Sequence, residues 1–221
     1  MGKQSGLSYF IGFSEVAGYY KNLYEGFDLL GINCGYLNKN TNKFKYRRPV
    51  GNDRIFEFVM AYNVAFSGKL ARFVFFPIYL ILHVLAFIRI VTHYDVIIIH
   101  NGSTLMRGWD VPLYRKFGLK AIVISLGSDS RPPIINGALI DDLGNFSIDL
   151  ETLKIETQRI RARVRKYESI SDFFISSSSY CHFNENRIIN LIPLGFPSHV
   201  FESNCDLEKV FTSSKPIKVL H

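Results

Sequence analysis

Cysteine is scarce: three residues in 221, Cys34, Cys181 and Cys205, widely spaced and with no CxxC pair. A disulfide framework or a zinc site is therefore not expected; small apolar fillers in a reducing cytoplasm are. The six His and the carboxylates are scattered without ligand spacing, so no metal is expected either. There is no G-x-G-x-x-G fingerprint and no G-x-x-x-x-G-K-[ST] loop, which removes the main support for a dehydrogenase or a nucleotide triphosphatase. No G-x-S-x-G elbow is present, which speaks against a serine hydrolase. The opening Met1-Gly2-Lys3-Gln4-Ser5 lacks the charged, apolar and small-residue succession of a secretory signal. Its hydroxyl also falls one position early for a myristoylation start. Internal repeats and low-complexity tracts are absent.

What is present suits one generous α/β domain. Apolar residues make up 48% of the chain, charged residues a sparse 20% and aromatics a rich 14%. The net charge is +7, with basic residues gathered in Lys43–Arg48 and along Lys154 to Lys166. Such patches fit nucleic acid, anionic lipid or phosphorylated ligands equally. No zinc-finger, RNP-type or basic-zipper pattern accompanies them, so a nucleic-acid partner is not expected.

Strand-like and helix-like patterns alternate. Leu7 to Phe13 reads as a first strand and Ser14 to Gly18 as a turn. Tyr20, Leu23, Tyr24, Phe27 and Leu30 then fall at the spacing of one helical face. Gly31 supplies a left-handed stop, and Ile32 to Leu37 a second strand. Asp95 to His100 and Lys120 to Ser125 are β-branched runs without polar alternation, as in parallel strands buried on both faces. Asp110, Pro112 and Gly118 bracket a short helix. Leu150 to Ser169 is a long helix capped by Asp149. It carries Leu153, Thr157, Ile160, Val164 and Tyr167 on one face, with Arg159, Arg161, Arg163, Arg165 and Lys166 assigned to the others. Asp172 to Ser176 and Ile188 to Ile192 read as further strands. The alternation predicts a doubly wound, Rossmann-like parallel sheet with helices on both faces.

Phe73 to Ile88 holds sixteen residues without a formal charge, flanked by Lys69, Arg72 and Arg89. A spanning helix needs about twenty apolar residues, and Pro77 weakens the start of this one. Three readings stand: a buried core helix, a helix lying in the membrane interface, and a span.

In open parallel sheets ligands bind beyond the carboxyl ends of the strands, where each Gly/Ser/Asn/Asp cluster of this chain falls. The first loop carries Glu15 and Gly18, where a helix N-terminus presents unpaired N–H groups to an oxygen-rich group. Tight packing of the helix is the structural alternative for Gly18. The second loop is His100-Asn101-Gly102-Ser103, in which His100 is either a proton carrier or a hydrogen-bonded structural residue. The third is Gly127-Ser128-Asp129-Ser130-Arg131. Asp129 offers a carboxylate for sugar hydroxyls or general-base work, and Arg131 a phosphate contact. An Asp–Arg pair that only shapes the loop is the alternative.

The chain closes on Lys215-Pro216-Ile217-Lys218-Val219-Leu220-His221, a basic residue followed by the opening of a strand. This predicts one domain over residues 1–198. Residues 199–221 would then be a hinge and the first residues of a further domain.

These segments together resemble the N-terminal half of GT-B-fold glycosyltransferases, family 4-like, of bacterial surface-polysaccharide synthesis. Phe13-Ser14-Glu15-Val16-Ala17-Gly18, with the helix ending Leu30-Gly31-Ile32, is similar to that family's opening. Tyr94–His100 resembles its D-[VI]-[VI]-x-x-H strand, Leu126–Arg131 its h-G-[ST]-D-x-R loop, and Ile192-Pro193-Leu194-Gly195-Phe196 its interdomain hinge. The resemblance implies retaining, metal-independent transfer from a nucleotide-sugar donor to a lipid-linked or saccharide acceptor. The setting it implies is cytoplasmic, peripheral at the inner membrane. It implies that this domain binds no cofactor, that the donor belongs mostly to a C-terminal domain or partner chain, and that this chain alone does not turn over. Asp129 would be catalytic. Glu15, Gly18, His100, Asn101, Ser103, Gly127, Ser128 and Arg131 would line the acceptor side of the cleft. A non-catalytic membrane-recruiting subunit and a simple ligand-binding domain are the competing expectations.

Overall fold

A computed structural model of the chain describes residues 6–39, 53–65, 76–106, 108–135, 144–145 and 147–190. The basic cluster Lys43–Arg48, Cys205, the expected boundary at residue 198 and the segment 199–221 lie outside these. Six parallel strands form one sheet: β1 (Tyr9–Phe13), β2 (Cys34–Asn38), β3 (Val96–His100), β4 (Lys120–Ile124), β5 (Phe173–Ser176) and β6 (Ile189–Asn190). Their order across the sheet is β2-β1-β3-β4-β5-β6. The helices are α1 (Tyr19–Leu29), α2 (Arg54–Ala65), α3 (Phe76–His93), α4 (Asp110–Lys116) and α5 (Leu150–Ile170). The expected Rossmann-like α/β fold is the observed one.

The strand order explains the two layers. From β1 the chain crosses to β2 on one side, then returns past β1 to build β3 to β6 on the other. Because parallel crossovers keep one hand, that reversal moves the later helices to the opposite face. Ile11, Tyr20, Tyr36, Val96, Ile98 and Ile124 accordingly form a core beneath α1. The larger core collects Phe10, Leu37, Ile97, Ile99, Ala121, Val123 and Phe174 of the sheet. Against these pack Phe56 and Val59 of α2, Ala86 and Ile90 of α3, Tyr114 of α4, and Val164 and Tyr167 of α5.

Local chemistry sets the element ends. Gly31 at φ +68° stops α1, its N–H bonding the Asp28 carbonyl at 2.9 Å. Asp149 caps α5, accepting the Thr152 N–H at 2.8 Å. Leu30, expected on the buried face of α1, is instead exposed just past the helix end. Helix α2 was not isolated by periodicity, because its apolar residues fall all round it: Phe56 and Val59 are buried while Phe58 is exposed.

Helix α3 covers residues 76–88 of the apolar segment and packs one face on the domain. Only His83, Ala86 and Ile90 are buried, at steps of three and four, and this inner face packs on the sheet. One face is thus part of the core, and by length and composition the helix would also suit a membrane span. The opposite arc carries Leu80, Ile81, Val84, Leu85 and Ile88, each 41–58% exposed and none charged.

Candidate functional site

Continuing the strand register by one residue, or by two between β1 and β3, places Lys39, Ser14, Asn101, Ser125 and Ser176 in one rank across β2, β1, β3, β4 and β5. Backbone bonds hold it: Lys39 N–H to Phe13 O at 2.9 Å, Asn101 N–H to Ile124 O at 3.0 Å, and Ser125 N–H to Ile175 O at 2.9 Å. The apolar strands thus end together on a polar row. The reversal of strand order lies between β1 and β3, the point in such sheets where the loops diverge and open a crevice.

Two sequence-predicted residues meet at the ends of the neighbouring β3 and β4. His100 Nε2 lies 3.0 Å from Asp129 Oδ2, with only 14% and 11% of the two side chains exposed. The same carboxylate oxygen accepts from Ser125 Oγ and from the Leu126 N–H, both at 3.2 Å. Asp129 is therefore held by its own loop and in turn orients the imidazole. If Nε2 donates to the carboxylate, Nδ1 is left as the basic nitrogen. Asn101, almost fully buried, donates from Nδ2 to the Asp129 carbonyl at 3.3 Å and to Ser125 Oγ at 3.5 Å. The edge of the Tyr20–His100 ring pair closes the other side, with centroids 5.9 Å apart, and Tyr20 donates its hydroxyl to the Ile124 carbonyl. Burial, reinforced by the Asp129 charge, holds the Tyr20 phenol well above its usual range, so it stays a donor.

The first loop behaves differently from its expectation. Both Glu15 oxygens are engaged: one accepts the Tyr20 N–H at 3.2 Å, the other the Lys21 N–H at 2.8 Å and the Tyr36 hydroxyl at 2.9 Å. Tyr19 and Asn22 N–H groups bond Val16 and Gly18 carbonyls. The first-turn amides of α1, expected to be free for a ligand, are thus satisfied inside the chain, because a buried carboxylate is the best acceptor for a helix N-terminus. Gly18 (φ +82°) and Gly127 (φ +69°) occupy left-handed turns whose Cβ side meets nothing within 4 Å. Ser103 joins the β3 turn through its N–H to the His100 carbonyl. Arg131 rests its guanidinium over the Tyr180 ring, 4.5 Å from the centroid, rather than against Asp129. Ser128 lies in the short turn Gly127–Asp129.

Several buried polar atoms of this rim have no partner among the described residues: the hydroxyls of Ser14, Ser130 and Ser176, Oδ1 of Asn101 and of Asp129, and Nε of Arg163. Each such atom costs about 1–3 kcal/mol unless something outside the chain satisfies it. They include donors and acceptors, the mixture a polyhydroxylated ligand supplies. Among the described residues no group of three or more His, Cys, Asp or Glu side chains is placed to hold a metal. A separate cavity of about 240 Å³ lies beside the start of β2, lined by Tyr24, Asp28, Asn33, Gly35, Arg89 and Tyr94, away from the polar row.

Sequence reasoning missed Tyr20, Ser125 and Arg163. Arg163 was readable by spacing, since it stands three residues after Ile160 and four before Tyr167 and so shares their inward face. No family model, curated protein or solved structure matches the chain. The fold and rim define a Rossmann-like α/β protein with a rank of buried polar side chains at the carboxyl ends of its strands.

Proposed function

We propose that this chain is the acceptor-side half of a glycosyltransferase of polysaccharide biosynthesis. It would move a sugar from a nucleotide-sugar to a lipid-linked or saccharide acceptor. The observation that carries this reading is the His100–Asp129 pair at the carboxyl ends of β3 and β4, beside partnerless donors and acceptors suited to hydroxyl groups. An acceptor hydroxyl oxygen bonds to the anomeric carbon on the same face from which the diphosphate oxygen leaves with its electron pair, so that the configuration is retained. His100 Nδ1 takes the hydroxyl proton, and Asp129 steadies the imidazolium. Asp129 is on this reading a positioning residue, and Asn101 and Ser14 orient the acceptor. Donor contacts fall to a further domain or a partner chain, as the family resemblance implies.

The test is label transfer from a panel of nucleotide-sugars to lipid or saccharide in isolated membranes, with the protein in its full genomic context. His100→Ala and Asp129→Asn should each slow transfer at least ~100-fold with unchanged thermal midpoints. Transfer that survives both substitutions removes the pair from the mechanism.

The uncharged exposed arc of α3 favours a second reading, a membrane-recruiting or acceptor-binding subunit without chemistry of its own. A net charge of +7 would hold that arc against the anionic cytoplasmic face of the inner membrane.

A further inference from the structure

The long helix α5 contributes one residue to the rim whose chemistry the proton-transfer scheme leaves unused. Arg163 reaches from α5 to where the β3 and β4 turns meet. Its Nη2 donates to the Asp129 carbonyl at 2.8 Å, its Nε is buried without a partner, and it makes no ion pair with a described carboxylate. A guanidinium with five fixed donors, one spent on a neutral carbonyl and one on nothing, is the donor fork that carboxylates and phosphates fill. The turn opposite is shaped to receive it. Gly102 sits at φ +95°, and a Cβ there would stand 3.0 Å from Arg163 Cδ.

The surroundings supply further donors. By strand alternation Asn101, Ser125 and Ser176 turn toward the same side of the sheet as Ile99, Val123 and Phe174, the side that α5 covers. Ser176 and Ser130 are completely buried, and neither hydroxyl has a partner among the described residues. Arg131, parked over Tyr180, brings a second guanidinium two residues from the Asp129 carbonyl that Arg163 bonds. The local carboxylate, Asp129, makes no ion pair with either arginine: its Oδ2 is taken up by His100, Ser125 and Leu126, and its Oδ1 has no partner among the described residues.

We infer that Arg163, supported by Arg131 and the hydroxyls of Ser130 and Ser176, forms a phosphate subsite beside the His100–Asp129 pair. This deepens the transferase reading and rests on it for the ligand's identity: the acceptor carries a phosphate or diphosphate, as an isoprenyl-phosphate saccharide does. The anion binding itself is independent of any sugar transfer.

Inorganic pyrophosphate is the probe. The Arg163 Nε–H resonance of the ¹⁵N-labelled protein should shift on titration with it, because the anion provides the partner that Nε lacks. Arg163→Met should weaken pyrophosphate binding roughly ten- to hundredfold, in line with loss of hydrogen bonds to a charged group. Arg163→Lys, which keeps the charge and the packing stem but not the fork, should fall between. It replaces the Met variant if that one does not fold. Geranyl diphosphate binding more tightly than uridine diphosphate places the phosphate on the acceptor. The reverse order places it on the donor and overturns the acceptor assignment. An Nε–H signal unmoved by millimolar pyrophosphate, water as its only partner, or undiminished binding by the folded variants overturns the subsite. Loss of label transfer with pyrophosphate binding intact would sink the transferase reading alone.

Discussion

His83 sits on the inward face of α3 with Nδ1 2.8 Å from the Tyr79 carbonyl and a buried, unpartnered Nε2. Burial pushes its pKa down to about 4, and the nearby Lys39 charge pushes the same way. The unfolded chain takes up a proton near pH 6.5 that the native chain refuses. The stability contributed is full above pH 6.5 and lost as pH falls through about 4. Urea unfolding of His83→Leu should therefore show a flatter pH profile between 6.5 and 4 than the parent; an unchanged slope would place the acid sensitivity elsewhere. At this scale the sequence was partly readable. His100, Asn101 and Asp129 stood out because each ends a strand or opens a turn. That His100 and Asp129 touch was not, since only the parallel pairing of β3 with β4 brings their loops together. Glu15 was placed correctly at the head of α1, yet its engagement by Tyr36 depends on β2 lying beside β1, which spacing does not encode.

Helix α3 is an element whose two apolar faces do different work. Its inner residues are held by the core, and its outer arc of Leu80, Ile81, Val84, Leu85 and Ile88 is left to solvent. Replacing exposed side chains should leave folding intact while removing apolar area from any surface they enter. The double variant Ile81→Glu with Leu85→Glu should keep the parental thermal midpoint and lose at least about tenfold in binding to vesicles containing anionic lipid, measured by sedimentation. Undiminished sedimentation would assign the arc another role. Composition announced this segment but could not say which face the sheet would claim, because all its faces are apolar. The same ambiguity hid α2, whereas α5 was plain, its charged faces contrasting with the stripe of Leu153, Val164 and Tyr167.

The whole molecule is organised by its central strands. Ile97 and Ile99 of β3 are completely buried between β1 and β4. Ile99→Ala should cost about 2–5 kcal/mol in urea unfolding; a cost well below that would mean the core there relaxes freely. Uninterrupted β-branched runs made these strands legible, and their alternation with helices made the sheet parallel on paper. The strand order was beyond reach, since the reversal at β1 is set by how the β2-to-β3 connection packs rather than by any local pattern. That reversal positions the rim, and the functional reading stands on it. Amide-shift mapping by NMR with methyl glycosides and isoprenyl-phosphate saccharides tests the reading most directly. Shifts concentrated at Ser14, Gly18, Asn101, Gly102, Gly127 and Ser130 are expected. Shifts confined to the cavity beside the start of β2, at Tyr24, Asn33 and Arg89, would contradict it.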